Sequence, residues 1–315
     1  LTRLDKKKYK SSKYIGKTGI EKYYENHLHG TPGYKHVEIN ARGRQLRDID
    51  EKPPIPGKDL YLTIDIELQK YMYSRLLGYT GSSVAINPKN GEILAMVSAP
   101  ALDPNQKLWK LDVDQEQALI IKSPMFNRAT HGLYSPGSTI KPIMALNGLH
   151  ENIINASQEF YAGPFFQLPN NSRRFRDWKP KGHGIVDLEK SITQSCDVYF
   201  YMLANDLGID KISSFLKYFS FGDKTGLDMP YESSGVLPSN NWKLKNIGTN
   251  WTDGDTVITG IGQGYFLATP IQLAYAASII ANKGSIVIPR LNKNSKPIKS
   301  KELLKKENFL KNTIS

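Results

Sequence analysis

The sequence predicts an α/β fold in which an antiparallel sheet is joined to a mostly helical lobe. Two apolar runs, 84–86 and 93–97, flank Asn90-Gly91, a pair that strongly indicates a tight turn between antiparallel strands. Apolar residues then recur at helical spacing in several later segments, at 138–150, 187–194, 197–207, 209–219 and 270–282. Strands followed by a helical middle are typical of an α/β arrangement.

The chain before this hairpin reads as an accessory segment followed by a boundary. Residues 1–55 are charged and Gly-rich, and only a short helix near Ile20–Leu28 has a sustained period. Three prolines within residues 51–59 indicate a linker. Thr63 or Asp65 can then cap the first helix of the main domain. We therefore expect two regions, 1–55 and 56–315.

Composition indicates a globular chain with a basic surface. The 315 residues are 39% hydrophobic and 23% charged, and 42 Lys and Arg against 30 Asp and Glu give a net charge of +12. About half of that charge lies between Arg290 and Lys311, in a tail that could be a helix or a disordered connector. A solvated Lys-rich face explains it, and so would anionic lipid or an acidic polymer; interleaved aromatics typical of nucleic-acid binding are missing.

One cysteine, Cys196, excludes a disulfide framework but suits either a reducing or an oxidising compartment. A run of about 18 apolar residues, which a transmembrane helix needs, does not occur. The chain begins at Leu1 rather than Met, so we expect an excerpt of a longer protein from which any membrane anchor has been removed.

The most informative motif is SPGSTIK, which places Ser138 and Lys141 three positions apart. Ser135 suits an N-cap and Pro136 a first helical position, so Ser138 should lie in the opening turn of a helix. At that spacing the Lys141 amine could reach Ser138 Oγ and, if buried and neutral, accept its proton. The pattern therefore suggests covalent serine chemistry, although such a short pattern also arises by chance in purely structural helices.

A second candidate is Ser195-Cys196-Asp197, at the turn between the helices 187–194 and 197–207. At such a turn a hydroxyl and a carboxylate can face a cleft. The alternative is that Ser195 or Asp197 only caps the second helix.

Four long runs together resemble the transpeptidase domain of class B penicillin-binding proteins, and most strongly the elongation-specific penicillin-binding protein 2 subfamily. They are FNRATHGLYSPGSTIKP, FRDWKPKGHGIVDLEKSITQSCDVYFY, FGDKTGLDMPYESSGVLP and GIGQGYFLATPIQLAYAASIIANKG. The N-terminal run IGKTGIEKYYENHLHGTPGY resembles the end of that subfamily's non-catalytic pedestal. The resemblance covers residues 10–290 and implies the penicillin-binding transpeptidase fold, preceded by part of a pedestal.

The resemblance implies a role for each candidate residue. Ser138 would be the nucleophile that forms an acyl-enzyme, Lys141 would activate it, and Ser195 would relay protons near the leaving amine. Asp197 would occupy the third position of the second motif. The implied reaction is D,D-transpeptidation of peptidoglycan stem peptides, in which the backbone N–H of Ser138 stabilises the oxyanion and β-lactams acylate the same serine.

The family's third motif, Lys-Thr-Gly on a core strand, is not found where the resemblance predicts it. Lys224-Thr225-Gly226 has the letters but lies in FGDKTGLDMP, which matches a different family segment, so we interpret it as structural. In relatives the motif follows the segment that here ends at Arg290, and we expect the site to be incomplete without it. The runs also cover His131, Trp178 and Gly262-Gln263-Gly264, to which we assign packing or cleft-shaping roles.

The resemblance also implies a possible structural zinc, although the reaction requires no cofactor. Asp177, His183 and Cys196 match three of the four ligands found in some members, and all three are good zinc donors. The fourth position is Ala162 here, so a water or Glu159 would have to complete the site. In the alternative interpretation Cys196 is a small buried residue and His183 a turn residue.

The implied setting is the inner membrane, on its periplasmic side. Relatives work with a RodA-type glycan polymerase and with an MreC-type scaffold that binds the pedestal. Two alternatives stay open: a catalytically incomplete module that binds the elongation scaffold, and a domain that hydrolyses or senses β-lactams.

Overall fold

The computed structural model describes residues 9, 15–102, 123–169, 171–296 and 300–314. These residues form two compact units. The smaller unit is drawn from Leu1–Thr63, Asp228–Tyr231 and Leu291–Ser295, and the larger from Ile64–Leu227, Glu232–Arg290 and Lys296–Ser315. The start of the predicted accessory segment, apart from Tyr9, lies outside the described residues.

The smaller unit contains two short helices and a hairpin. Its elements are α1 (Gly19–Tyr23), α2 (Glu25–Leu28), β1 (Tyr34–Ile39) and β2 (Gln45–Lys52). The helix predicted near Ile20–Leu28 is confirmed, with a break at Tyr24. No strand was predicted before residue 55, whereas β1 and β2 pair antiparallel there. Two register shifts break the period of two and nearly every residue of the hairpin is exposed, so no apolar stripe marks these strands.

A carboxylate joins distant segments of the smaller unit. Asp228 accepts hydrogen bonds from the backbone N–H of Leu291 at 2.6 Å and of Asn292 at 2.9 Å, and from the Tyr24 hydroxyl at 2.5 Å. Burial, together with the Asp228 carboxylate, raises the pKa of Tyr24 well above its usual range. Asp228 therefore connects α1–α2 to the segment 291–295.

The larger unit begins with the predicted helix and hairpin, both of which are confirmed. They are α3 (Ile66–Arg75), β3 (Gly81–Ile86) and β4 (Ile93–Ala99), and β3 pairs antiparallel with β4. The Asp65 carboxylate caps α3 by accepting the N–H groups of Glu67 and Leu68, both at 3.0 Å. Alternate residues of β4 are buried, as expected for a strand with one face on the core.

The rest of the larger unit is mainly helical. Its helices are α4 (Arg128–His131), a 3-10 turn (Gly137–Ile140), α5 (Lys141–His150), α6 (Leu188–Thr193), α7 (Asp197–Leu207), α8 (Ile209–Tyr218), α9 (Asn240–Ile247), α10 (Asp253–Thr259), α11 (Pro270–Ala281) and α12 (Lys301–Ile314). The five predicted helices are confirmed within a few residues. The predicted α/β class is confirmed as well, with four antiparallel strand pairs among the described residues.

Helix α7 is the centre of the core. Seven of its eleven residues are buried, and it packs against α5, α8 and α10. Burying a side chain such as Phe200, which is fully enclosed, stabilises the fold by about 2 kcal/mol. The basic tail, left open by the sequence, is helical over 301–314, where Leu310 is fully buried and Phe309 stacks on Tyr218 at 3.8 Å.

Two small strand pairs lie between α5 and α6 in the chain. Strands β5 (Phe160–Ala162) and β8 (Gly184–Val186) form one pair, and β6 (Phe165–Gln167) and β7 (Arg174–Arg176) form the other. Phe175 is buried against Phe166 and Tyr201, which anchors β7 to α7. In the described part of the chain, no helix combines the length and apolarity needed to cross a bilayer.

Candidate active site

Ser138 lies exposed in the 3-10 turn that precedes α5. The expected Ser135 cap is not formed: the residue before the turn is Pro136, and no side chain caps it. The turn is held instead by its backbone, because the Gly137 N–H donates to the Gly262 carbonyl at 2.8 Å. The hydroxyl of Thr139 donates to the Pro136 carbonyl at 2.7 Å. The expected α-helical opening is thus a tighter turn, and α5 itself begins at Lys141.

The Lys141 side chain is buried, with 2% exposed, and its amine has three polar partners. Nζ donates to Asp197 Oδ1 at 2.6 Å, to the Ser195 carbonyl at 2.9 Å and to Ser195 Oγ at 3.0 Å. The expected direct contact with Ser138 Oγ is not formed. Ser195 Oγ lies between them and donates to Ser138 Oγ at 2.9 Å. The reason is that the carboxylate and the carbonyl on the Ser195 turn attract the ammonium group away from Ser138.

The Ser195 turn joins α6 to α7 in a strained conformation. Ser195 has a φ of +52°, a left-handed backbone that non-glycine residues seldom adopt. Its N–H donates to the Ile192 carbonyl at 3.1 Å, and the Cys196 N–H donates to the Ser191 carbonyl at 2.9 Å. Cys196 precedes α7 without a side-chain cap. The capping alternative is therefore wrong, and both polar groups of the motif face Lys141.

Trp178 supports the same turn through hydrogen bonds, whereas the sequence predicted only a packing or cleft-shaping role. Its indole Nε1 donates to the carbonyls of Ser195 at 3.0 Å and Gln194 at 3.2 Å, while 61% of the residue remains exposed. Trp178 and Ser195 are 17 residues apart, and no local pattern in the sequence indicates this contact.

The three metal-ligand candidates are brought together behind Ser195. Ligand atoms of Asp177, His183 and Cys196 lie within 4.8 Å of one another, and all three residues are buried. Cys196 Sγ is 3.6 Å from Asp177 Oδ2, and His183 Nδ1 is 3.3 Å from Asp177 Oδ1 without hydrogen-bond geometry. Both ring nitrogens of His183 lack a hydrogen-bond partner in the described residues. Burial raises the pKa of the Cys196 thiol to about 11.

This donor set fits zinc, with one ligand short. A carboxylate, an imidazole and a thiol are zinc donors, and two unpartnered buried ring nitrogens are costly unless something binds one of them. Ala162 is fully buried next to the cluster, and its carbonyl accepts the backbone N–H of His183 at 2.9 Å. Its methyl side chain cannot bind a metal. Glu159 is exposed, and among the described residues the cluster does not include it.

Lys224-Thr225-Gly226 is a structural turn organised by a buried carboxylate. Glu232 accepts the Thr225 hydroxyl at 2.7 Å, the Thr225 N–H at 2.9 Å and the Gly226 N–H at 3.3 Å. The donors that a substrate carboxylate or oxyanion would need are thereby occupied.

Two protein-family models match the chain. The model described as the penicillin-binding protein transpeptidase domain matches residues 81–315. The penicillin-binding protein dimerisation domain matches residues 1–62. These matches confirm the family resemblance inferred from the four sequence runs.

The chain is also similar to known proteins and solved structures. It is 46% identical over 293 residues to the peptidoglycan D,D-transpeptidase MrdA of Acinetobacter baumannii, covering 92% of this chain and 44% of that protein. The structure of Pseudomonas aeruginosa PBP2 in complex with WCK 5153 has a TM-score of 0.82 and 38% identity, covering 98% of this chain and 69% of that one. The complex between PBP2 and MreC from Helicobacter pylori has a TM-score of 0.82 and 36% identity, with coverages of 94% and 56%. The chain thus spans less than half the length of this curated relative.

Proposed function

The chain belongs to the penicillin-binding protein transpeptidase family, and from that premise we propose that it acts as a serine D,D-transpeptidase that cross-links peptidoglycan stem peptides during cell elongation. The observation that carries this proposal is the unbroken series of contacts from Ser138 Oγ through Ser195 Oγ to the buried Lys141 and its half-buried partner Asp197. Such a series joins an exposed nucleophile to groups that can accept its proton.

In the first half-reaction, Ser138 Oγ attacks the carbonyl carbon of the D-Ala-D-Ala bond. The Ser138 proton passes to Ser195 Oγ while the Ser195 proton passes to the Lys141 amine in its neutral form. Asp197 Oδ1, at 2.6 Å, is positioned to hold the proton that Lys141 has given up. The backbone N–H of Ser138 stabilises the oxyanion, a contribution of about 3 kcal/mol at comparable sites.

The acyl-enzyme forms when the C–N bond breaks and the relay returns a proton to the departing D-Ala amine. In the second half-reaction the amine of a neighbouring stem attacks the ester, loses its proton to the relay, and Ser138 Oγ is released as a hydroxyl. A β-lactam acylates Ser138 by the same first step. The acyl transfer needs no cofactor, because every proton has an acceptor in the relay.

Mass spectrometry of the intact protein after incubation with a penicillin tests the proposal. We expect an adduct of one penicillin mass on the full-length protein and none on Ser138→Ala. Lys141→Ala should label about 100-fold more slowly or worse, because proton transfer is typically worth that factor. Normal labelling of Lys141→Ala would refute the role of the lysine, and an adduct that persists in Ser138→Ala would refute the assignment of the nucleophile.

We further propose that residues 1–55 are the end of a pedestal that engages an MreC-type scaffold. The support is the match to the dimerisation domain and the similarity to an H. pylori protein solved in complex with MreC. A RodA-type polymerase as partner and the periplasmic face of the inner membrane as location follow from the family resemblance. Binding of the full-length protein to a purified scaffold, with and without the β1–β2 hairpin, tests the pedestal role.

For the metal, we propose that Asp177, His183 and Cys196 hold a structural zinc ion. Bound there, zinc would supply a rigid support behind the Ser195 turn. Elemental analysis of protein purified without chelators tests this: about one equivalent supports the site, and less than about a tenth removes it.

A further inference from the structure

Residues 173–181 form a strongly basic segment beside the candidate active site. Five of these nine residues are Arg or Lys, and the sole acid, Asp177, is buried. The basic residues are all exposed: Arg173, Arg174, Arg176, Lys179 and Lys181. We call this group the basic patch. The positive charge of the basic patch is therefore exposed to solvent, and residues 173–181 contain no exposed carboxylate to balance it.

The basic patch has no carboxylate partner in the part of the chain that the structure describes. Ion pairs within 4.0 Å involve other basic residues, such as Lys141 and Lys243. Asp177 instead accepts the N–H groups of Val198 at 3.1 Å and Lys179 at 2.9 Å. Uncompensated like charges on adjacent positions repel one another, so the patch gains stability when an anion binds.

Two of the arginines are held in place by aromatic rings. The Arg174 guanidinium lies 4.5 Å from the Phe165 ring centroid, and that of Arg173 lies 4.8 Å from the Phe175 centroid. Phe175 is buried, so the strand that carries these side chains is anchored in the core. A stacked guanidinium keeps its planar N–H donors available and loses less entropy when it binds a carboxylate.

The segment that carries the basic patch also contacts the turn beside Ser138. Trp178, within the same segment, donates to the Ser195 carbonyl at 3.0 Å, and Ser195 Oγ is 2.9 Å from Ser138 Oγ. Residues 173–181 therefore flank the Ser195 turn, which carries the hydroxyl that contacts Ser138.

We propose that the basic patch binds the carboxylates of an acidic peptide substrate, on the side of the scissile bond away from its C-terminus. This inference rests on the proposed function, because it assigns a second point of recognition to the same substrate. A stem peptide with free carboxylates before its D-Ala-D-Ala end supplies that chemistry. The patch thus selects acidic over amidated stems, while Ser138 and its relay carry out the reaction.

The test compares two variants of the full-length protein. The patch variant is Arg174→Gln/Arg176→Gln/Lys179→Gln. The control variant is Arg75→Gln/Lys89→Gln/Lys301→Gln, which removes three exposed charges on other elements and has the same net charge. Two synthetic pentapeptides ending in D-Ala-D-Ala are used, one with two free carboxylates before that end and one with both as carboxamides. Thermal unfolding shows whether each variant is folded.

Equilibrium binding is measured on a Ser138→Ala background, so that it does not depend on catalysis. One exposed ion pair contributes a factor of about 1.5 to 5, so the patch variant should bind the acidic peptide about tenfold more weakly. Its affinity for the amidated peptide, and both affinities of the control variant, should change by less than about twofold. An equal loss with both peptides, or no loss, would overturn the proposal.

Two additional measurements distinguish a failure of the proposed function from a membrane-binding role of the basic patch. Penicillin labelling of Ser138 in the patch variant tests the proposed function on its own. If penicillin does not label Ser138 of the wild-type protein but peptide binding still depends on the basic patch, the proposed function is refuted and the basic patch is still a peptide-binding surface. Vesicles containing phosphatidylglycerol test a membrane: a patch-dependent loss of vesicle binding with an unchanged peptide affinity would overturn our proposal.

Discussion

Replacing Gly262 with alanine should slow acylation of Ser138 without unfolding the protein. Gly262 has a φ of +70°, and its carbonyl accepts the N–H of Gly137, the residue before the nucleophile. A Cβ at position 262 would collide with the backbone oxygen and nitrogen of Gly137. No flexible side chain is there to move aside, so the methyl group must displace the turn that carries Ser138.

Two separate costs follow from this geometry. The left-handed backbone costs an L-residue about 1–2 kcal/mol of stability. The collision acts on activity instead, because the turn must move by about 0.6 Å to reach even the 3.0 Å separation below which real Cβ contacts essentially never fall, and a 1 Å misplacement of reacting groups can cost about 100-fold. We therefore expect acylation to be about tenfold slower in Gly262→Ala.

Gly264→Ala is the matched control. Gly264 has a φ of +73°, but the nearest atom to a Cβ there is the Ile258 side-chain Cγ2 at 3.2 Å. Both variants should lose similar stability in thermal unfolding, while only Gly262→Ala should react slowly with a fluorescent penicillin in stopped time courses. Equal labelling rates for the two variants would refute the claim that Gly262 positions the nucleophile turn.

Three further outcomes are expected. Thr225→Val removes a buried hydrogen bond to Glu232, so the free energy of unfolding should fall by about 1.5–3 kcal/mol while the rate of penicillin labelling is unchanged. Slower labelling at unchanged stability would contradict the structural interpretation of Lys224-Thr225-Gly226. Asp197→Asn removes the carboxylate proposed to hold the Lys141 proton, so labelling should slow about 100-fold, with wild-type rates as the contrary result. In metal-free protein the pKa of Cys196 is raised to about 11, so the unfolded chain ionises first and stability should decline from about pH 9 towards pH 11. Cys196→Ala should lose that decline, and an identical pH profile in unfolding titrations would argue against a buried thiol.

The elements that sequence predicts well are those that carry local signals. Asp65 caps α3, the Asn90-Gly91 turn joins β3 to β4, and helical spacing marks α7 and α8. Helix α9 was not predicted, because its polar sequence offers few apolar positions and its single buried residue is a lysine. Lys243 there forms a 2.6 Å ion pair with Asp255 of α10, a partner twelve residues away that helical periodicity does not reveal.

For the site, the residues that the sequence predicted lie together, but their connection differs from the predicted one. Ser138 and Ser195 are 57 residues apart, and only the family resemblance predicted that they share a cleft. Spacing along one helix predicts a direct contact between Lys141 and Ser138. That spacing does not include the Ser195 turn, which packs against the helix and supplies other partners for the amine. The Ser195 carbonyl and the Asp197 carboxylate both bind the Lys141 amine. These partners, more than fifty residues away in the chain, set the direction of the Lys141 side chain within the range that the helix allows.

Position 195 is a serine although its left-handed backbone favours glycine. A left-handed φ costs a serine about 1–2 kcal/mol. Two donors, Lys141 Nζ and Trp178 Nε1, bind the Ser195 carbonyl and offset that cost by fixing the turn from both sides. Glycine would relieve the strain but would delete the hydroxyl that joins Ser138 to Lys141. Because no residue both relaxes the turn and keeps the relay, the strain is stored at the point where the proposed proton transfer occurs.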